Sequence, residues 1–177
     1  FELELQQSSK SNMNDFVSKS YKKCEEILQT ELARYGDKAS FEILPLEGIE
    51  NFRHAIPFFS VVIVGYKDGS TTPSVAIIDC PILGETYYAE KGSGMWLERH
   101  NASSGTSSSI RLRVSTRKEN LVFVTDKTTN SALDVTARIF GSSAYSICLI
   151  AAGKADHAYL GDVNPITLSA AKLFMQE

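Results

Sequence analysis

Val17, Tyr21, Cys24, Leu28, Leu32 and Tyr35 recur at steps of three and four residues, which places them on one face of a helix. Asn14 or Asp15 offers a side-chain oxygen to cap its start, and Gly36 has the backbone freedom to stop it. Lys19, Lys22, Lys23, Glu25 and Glu26 fill the polar side. From Phe41 the period shortens. Residues 41–44 (F-E-I-L) form a short extended run closed by Pro45, which disfavours helix in the residue before it. Residues 60–66 (S-V-V-I-V-G-Y) are β-branched and apolar nearly throughout, the pattern of a strand covered on both faces. Asp68-Gly69 predicts a hairpin turn, with residues 74–79 as the return strand. Residues 86–90 and 95–97 continue as strands, punctuated by Gly92 and Gly94. Successive strands with no helix between them predict an antiparallel meander.

Residues 100–109 (H-N-A-S-S-G-T-S-S-S) are poor in apolar side chains and rich in Ser. They predict a flexible loop or linker, and they divide an N-terminal lobe, 1–109, from a C-terminal lobe, 110–177, within one compact unit. Ile110, Leu112 and Val114 then alternate with Arg111 and Arg113, as in a half-buried strand. Residues 121–124 are a further strand candidate. Ser142 or Ser143 can cap a helix reaching Ala152, with Gly153 as its stop, and its apolar residues on all sides predict burial. Residues 155–160 read as a last strand and 168–176 as a helix.

Composition narrows the function classes. A chain of 177 residues with 43% hydrophobic residues suits one domain, or two thin lobes sharing a core. A net charge of −3 lacks the electrostatic footprint of a nucleic-acid binder. Lys22-Lys23, Arg111/Arg113 and Arg117-Lys118 read as solvated basic faces. Cys24, Cys80 and Cys148 show no metal-ligand spacing, which predicts reduced thiols. No apolar stretch approaches the roughly 20 residues that span a bilayer, and no signal peptide is visible, so a cytoplasmic protein without membrane contact is expected. His54, His100 and His157 have no Ser or Cys nucleophile motif beside them, and no catalytic residue is assigned. Lys91-Gly92-Ser93-Gly94 lacks the third Gly and the helix of a dinucleotide site.

Residues 44–52 read L-P-L-E-G-I-E-N-F. This run resembles D-P-[IL]-D-G-T-x-N-F, the metal-site motif of the inositol monophosphatase family. Other pieces follow in the family's order. Residues 52–59 are similar to its N-F-x-H-x-x-P-x-F continuation, 89–96 to A-x-[RK]-G-x-G-A-[FW], 112–115 to L-x-V-S, 141–144 to G-[ST]-x-A, and 151–156 to A-x-G-x-x-D. The resemblance implies an α/β fold, the layered α-β-α-β-α sandwich of the sugar-phosphatase superfamily with mostly antiparallel sheets. It also implies Mg²⁺ as cofactor, a small phosphomonoester such as an inositol phosphate as substrate, and a homodimer.

The carboxylates depart from that pattern. Leu44 stands at the first motif Asp, Glu47 at the second and Ile49 at the Thr. In the second signature, W-D-x-A-A-[GA], the chain has Ile166 and Thr167 for Trp and Asp, and Leu160 aligns with the acidic residue that holds substrate hydroxyls. The upstream G-E-E segment is not found between Tyr35 and Leu44, and the spacing between Asn120 and Arg138 is short by some tens of residues. Either loops have been lost or residues are missing from the sequence as read. Mg²⁺ takes oxygen ligands, and leucine offers none from its side chain.

By position, the resemblance leaves Glu47 and Glu50 as metal candidates, Gly48 and Ile49 as backbone phosphate contacts, and Gly141 and Ser142 as substrate contacts. Without a metal, Glu47 and Glu50 would repel a phosphate at that cradle. The expectation is a phosphatase relative with lost or severely reduced catalysis. The rival is a non-catalytic interaction protein, a regulatory pseudoenzyme with a protein partner, since bacterial relatives serve in transcription-associated complexes.

Overall fold

The computed structural model describes residues 10–67, 69–126 and 136–177. Helix α1, Lys10–Leu32, starts earlier than expected. Neither Asn14 nor Asp15 is its cap; both lie inside the helix, where Asp15 pairs with Lys19 one turn on at 2.6 Å, a spacing that supports a helix interior. A 3₁₀ segment, Ala33–Lys38, follows, and Gly36 releases the chain with φ 58° and ψ −142°. Tyr35, the last member of the apolar stripe, leaves the core and is 60% exposed. Val17 is buried in a small cluster with Leu46, Phe52 and Phe59, and Phe16 stacks on Phe52 at 5.7 Å.

Strand β1, Ala39–Glu47, runs through Pro45. Its register against β2, Ser60–Lys67, shifts between Leu44 and Glu47, and Pro, which has no N–H for the ladder, fits such an irregularity. β3 is Pro73–Cys80, β4 Glu85–Glu90, β5 Gly94–Asn101 and β6 Thr106–Arg111. The six strands pair in sequence order, all antiparallel, as the meander pattern predicts. Gly69, in the turn between β2 and β3, takes φ 70°; its partner in the predicted turn, Asp68, lies outside the described residues.

Residues 100–109 are not the loop their composition suggests. His100 and Asn101 end β5 and pair with Ser107 and Thr106 of β6. Asn101 accepts the N–H groups of Ser103 and Ser104 at 3.0 and 3.2 Å, an Asx-type turn that closes the hairpin. Because β6 is exposed along its length, residues 106–109 carry no apolar side chain, and hydrophobic patterning reveals only its last two residues, Ile110 and Arg111. The strand read across 110–114 ends at Arg111; Leu112 adds one more bond, to the Met95 carbonyl at 2.8 Å.

A second sheet pairs β7, Val122–Thr125, with β8, Thr136–Ile139, on one side and β9, His157–Tyr159, on the other. Its pairings are parallel, so antiparallel pairing describes the large sheet only. Helix α3, Ser143–Ala151, touches both sheets, and all its residues but Ile150 and Ser143 are buried, as its apolar surround predicts. Helix α4, Pro165–Gln176, begins three residues before the expected start, with Asn164 accepting the Ile166 N–H at 2.9 Å and Pro165 in the first turn. One core joins Val62, Ile78, Tyr87 and Leu97 of the large sheet to Val124, Cys148 and Leu173.

Candidate active site

The site is built at the corner where β1 ends. Glu47 is its last residue, and Gly48 turns the chain with φ 82° into a short helix α2, Ile49–Arg53. Only glycine fits at Gly48, because a Cβ there would stand 2.9 Å from the Phe58 carbonyl oxygen in a left-handed conformation. Asn51 is buried and donates from Nδ2 to the carbonyls of Phe58 and Phe140, each at 2.7 Å. It therefore ties the corner to the segment before α3. Gly141 sits against it, where a Cβ would meet Asn51 Oδ1 at 2.9 Å. Phe58 adds ring contacts to Phe140 at 5.2 Å and Tyr145 at 4.9 Å.

Ser142 then caps α3 by accepting the Tyr145 N–H at 3.1 Å. Its hydroxyl donates to Glu47 Oε2, and the Ser143 N–H donates to Glu47 Oε1 at 2.9 Å. Both carboxylate oxygens of Glu47 thus face the N-terminus of α3, where two N-terminal donors of the helix are met by one acid. Burial pushes the Glu47 carboxyl above its ordinary value, and the bonds from Ser142 and Ser143 oppose that rise.

The other positions read from the motif are placed as follows. Glu50 is exposed and ion-paired to Arg53 at 2.7 Å. Gly48 and Ile49 lie beside Glu47 at the start of α2. Gly141 and Ser142 are brought to the same corner from the far side of the chain. Leu44 and Leu160 pack against the main core. Thr167 is fully buried, and its hydroxyl has no hydrogen-bond partner among the described residues. The sequence pointed to Asn51 and Ser142 through the motif matches. It did not reveal that Glu47 and Ser143 are partners, and the one available signal was a Glu, a methylene longer than Asp, at position 47.

A pair of close divalent cations needs several carboxylates aimed at one point. Here Glu47 is the one acid at the three aligned motif positions, and its oxygens already accept bonds from α3. Leu44 has no donor atom, and Thr167 offers a neutral hydroxyl. Among the described residues no three His, Cys, Asp or Glu side chains gather as a metal group. The donor set does not fit the metal clamp.

The sequence model of the inositol monophosphatase family matches residues 36–173. The chain belongs to that family. It is 27% identical over 135 residues to a fructose-1,6-bisphosphatase/inositol-1-monophosphatase of Thermotoga maritima, covering 75% of this chain and 52% of that protein. It is 27% identical over 205 residues to an inositol-1-monophosphatase of Caulobacter vibrioides, covering 97% of this chain and 76% of that protein. Among solved structures it is similar to the extragenic suppressor protein SuhB of Bartonella henselae, with a TM-score of 0.74 and 26% identity over 92% of this chain and 74% of that one. The chain spans 52% of the Thermotoga protein and 59% of an inositol monophosphatase of Dictyostelium discoideum. Its α/β fold is that of the family, and it is phosphatase-like. No helix among the described residues is long and apolar enough to cross a membrane.

Proposed function

We propose that this chain is a family member in which Mg²⁺-dependent hydrolysis of phosphomonoesters is lost or severely reduced. The observation that carries this reading is the engagement of Glu47. In the reaction the family resemblance implies, a bound Mg²⁺ would supply positioning of the phosphate, activation of a water and charge stabilisation at the leaving oxygen, and acids at the motif positions would have to hold it. Glu47 is the remaining acid at the motif positions, and it serves α3 as a hydrogen-bond acceptor instead. Its burial favours the protonated form, which binds Mg²⁺ poorly. Leu44 and Leu160 have apolar packing where the family pattern has acids.

In this reading the backbone cradle at Gly48 and Ile49 has no cation to draw a phosphate and lies beside the charge of Glu50, so phosphate affinity is weak. The useful work of the chain then lies in binding a partner rather than in turnover, in a cytoplasmic protein that is dimeric, as the resemblance implies. Thermal unfolding with and without millimolar Mg²⁺ or Mn²⁺ tests the metal part. A ligand bound only by the folded state raises the midpoint. We expect no specific rise; a saturable rise that disappears in Glu47→Gln would overturn the reading.

A further inference from the structure

We propose that β6 pairs edge to edge with β6 of a second copy of this chain, antiparallel and centred on Ser109, so that two large sheets become one. This pairing supplies a surface for the dimer of the preceding reading, on which it rests, and it is independent of the metal corner.

The two edges of the large sheet are built differently. β1 carries Glu42, runs through Pro45, shifts its register there and has α1 packed against it. Charge, proline, broken register and a covering element are the devices by which edge strands avoid pairing. β6 has none of them along most of its length. Its register against β5 is unbroken from Thr106 to Arg111, it contains no proline, and its one charged residue is the last. All of it is exposed, and among the described residues no strand pairs with its outer side.

The ladder shows which backbone groups of β6 point away from the sheet. The Leu112 N–H donates to the Met95 carbonyl at 2.8 Å, so these two residues form a hydrogen-bonded pair. Such pairs alternate along antiparallel strands. Ile110, Ser108 and Thr106 therefore direct their N–H and C=O groups at Leu97, Arg99 and Asn101 of β5. The His100 N–H goes the other way, to the Gly84 carbonyl at 2.8 Å, as the same alternation requires. Ser107, Ser109 and Arg111 are left with backbone groups facing outward. Their side chains do not screen that edge. The Ser109 hydroxyl shares a hydrogen bond with the Tyr88 hydroxyl of β4 at 3.2 Å, and the Arg111 guanidinium lies against Gly94.

The free edge is complementary to itself. With Ser109 opposite its own copy, Ser107 meets the second copy's Arg111, and each facing pair exchanges two N–H···O bonds. Arg111 then stands opposite a serine, whereas an in-register parallel pairing would set it beside its own copy. Ile110, 46% exposed, comes to lie opposite the second copy's Ser108 and loses part of that exposure. A twofold axis through Ser109 uses the same residues on both sides, which selects a second copy as the occupant.

The paired strip is short, so association is expected with a Kd of about 10–100 µM. Sedimentation velocity of the full-length protein across that range reads it. Ser109→Pro removes an outward N–H and spares the ladder to β5, since an edge strand tolerates proline where its N–H faces away from the sheet. We expect a dimer that grows with concentration and is weakened about tenfold or more in Ser109→Pro, with the unfolding midpoint unchanged. Amide exchange in the unaltered protein is the second readout and needs no variant to fold. The N–H groups of Ser107, Ser109 and Arg111 should exchange more slowly as concentration rises. If Ser109→Pro lowers the unfolding midpoint, those amides decide alone. The proposal is overturned by a protein that stays monomeric, by a dimer that survives Ser109→Pro, or by association that leaves the three amides unprotected. A dimer that survives would keep the dimeric reading on another surface, whereas a monomer would end both.

Discussion

Glu47 shows how one methylene can redirect a side chain. A carboxylate at the end of β1 reaches the first turn of α3 and receives both the Ser142 hydroxyl and the Ser143 N–H. Because burial raises this acid, the folded state takes up its proton more readily than the unfolded chain. Its contribution is fully present below the ordinary carboxyl value near 4.5 and is lost as pH rises through the folded value. Glu47→Gln carries no such titration. In urea unfolding, the stability of wild type relative to Glu47→Gln should therefore fall as pH increases from about 4.5 towards 7. A gap that widens in favour of wild type over that range would contradict the burial argument. Thr167 gives a sharper expectation. Its orphaned hydroxyl is a desolvation cost with no bond in return. Thr167→Val keeps the shape and should stabilise the protein by about 1 kcal/mol, whereas Thr167→Asp should cost several times that in the absence of metal. Both residues were visible in the sequence as departures from a motif. What the sequence could not carry was Glu47's partner, because Ser142 and Ser143 are far away along the chain and meet it only through the fold.

At the scale of elements, legibility followed burial. α3 and β2 to β5 were readable because their apolar residues recur at the spacing of their own geometry. β6 was readable only at Ile110 and Arg111, since the rest of this exposed edge strand carries no apolar residue. β9 was readable only in part, three residues of the six expected. The link between the 112–118 segment and the small sheet rests on a polar junction. Asp156 accepts the Val122 N–H at 2.8 Å and the Arg117 Nε–H at 3.0 Å, while Arg117 also donates to the carbonyls of Gly153 and Lys154. The Ser115 hydroxyl, the Val122 N–H and Arg117 hold the Asp156 carboxyl down at about 2. This sign is opposite to that of Glu47. The contribution is present above the ordinary value of 3.8 and is lost as pH falls through about 2. Asp156→Asn should lower the unfolding midpoint at neutral pH, and its deficit should shrink on acidification from about pH 4 to pH 2. Circular dichroism melts across that range decide it; a deficit constant with pH would mean that the charge of Asp156 adds nothing.

For the whole molecule, the scaffold and the chemistry separate. The family's α/β layering survives with a continuous core, and the order of the motif pieces made that much legible without coordinates. The fate of the site was legible only as a deficit of carboxylates, because a sequence shows which ligands are absent but not what the remaining one does. The measurement that weighs most is phosphate release by the purified full-length protein from inositol-1-phosphate and a few sugar phosphates, with and without Mg²⁺. An active family member is run in parallel, and folding is verified by its unfolding transition. We predict no release above the uncatalysed background in either condition. Mg²⁺-dependent release that is abolished in Glu47→Gln would contradict us, and would mean that Glu47 leaves α3 to hold a working metal.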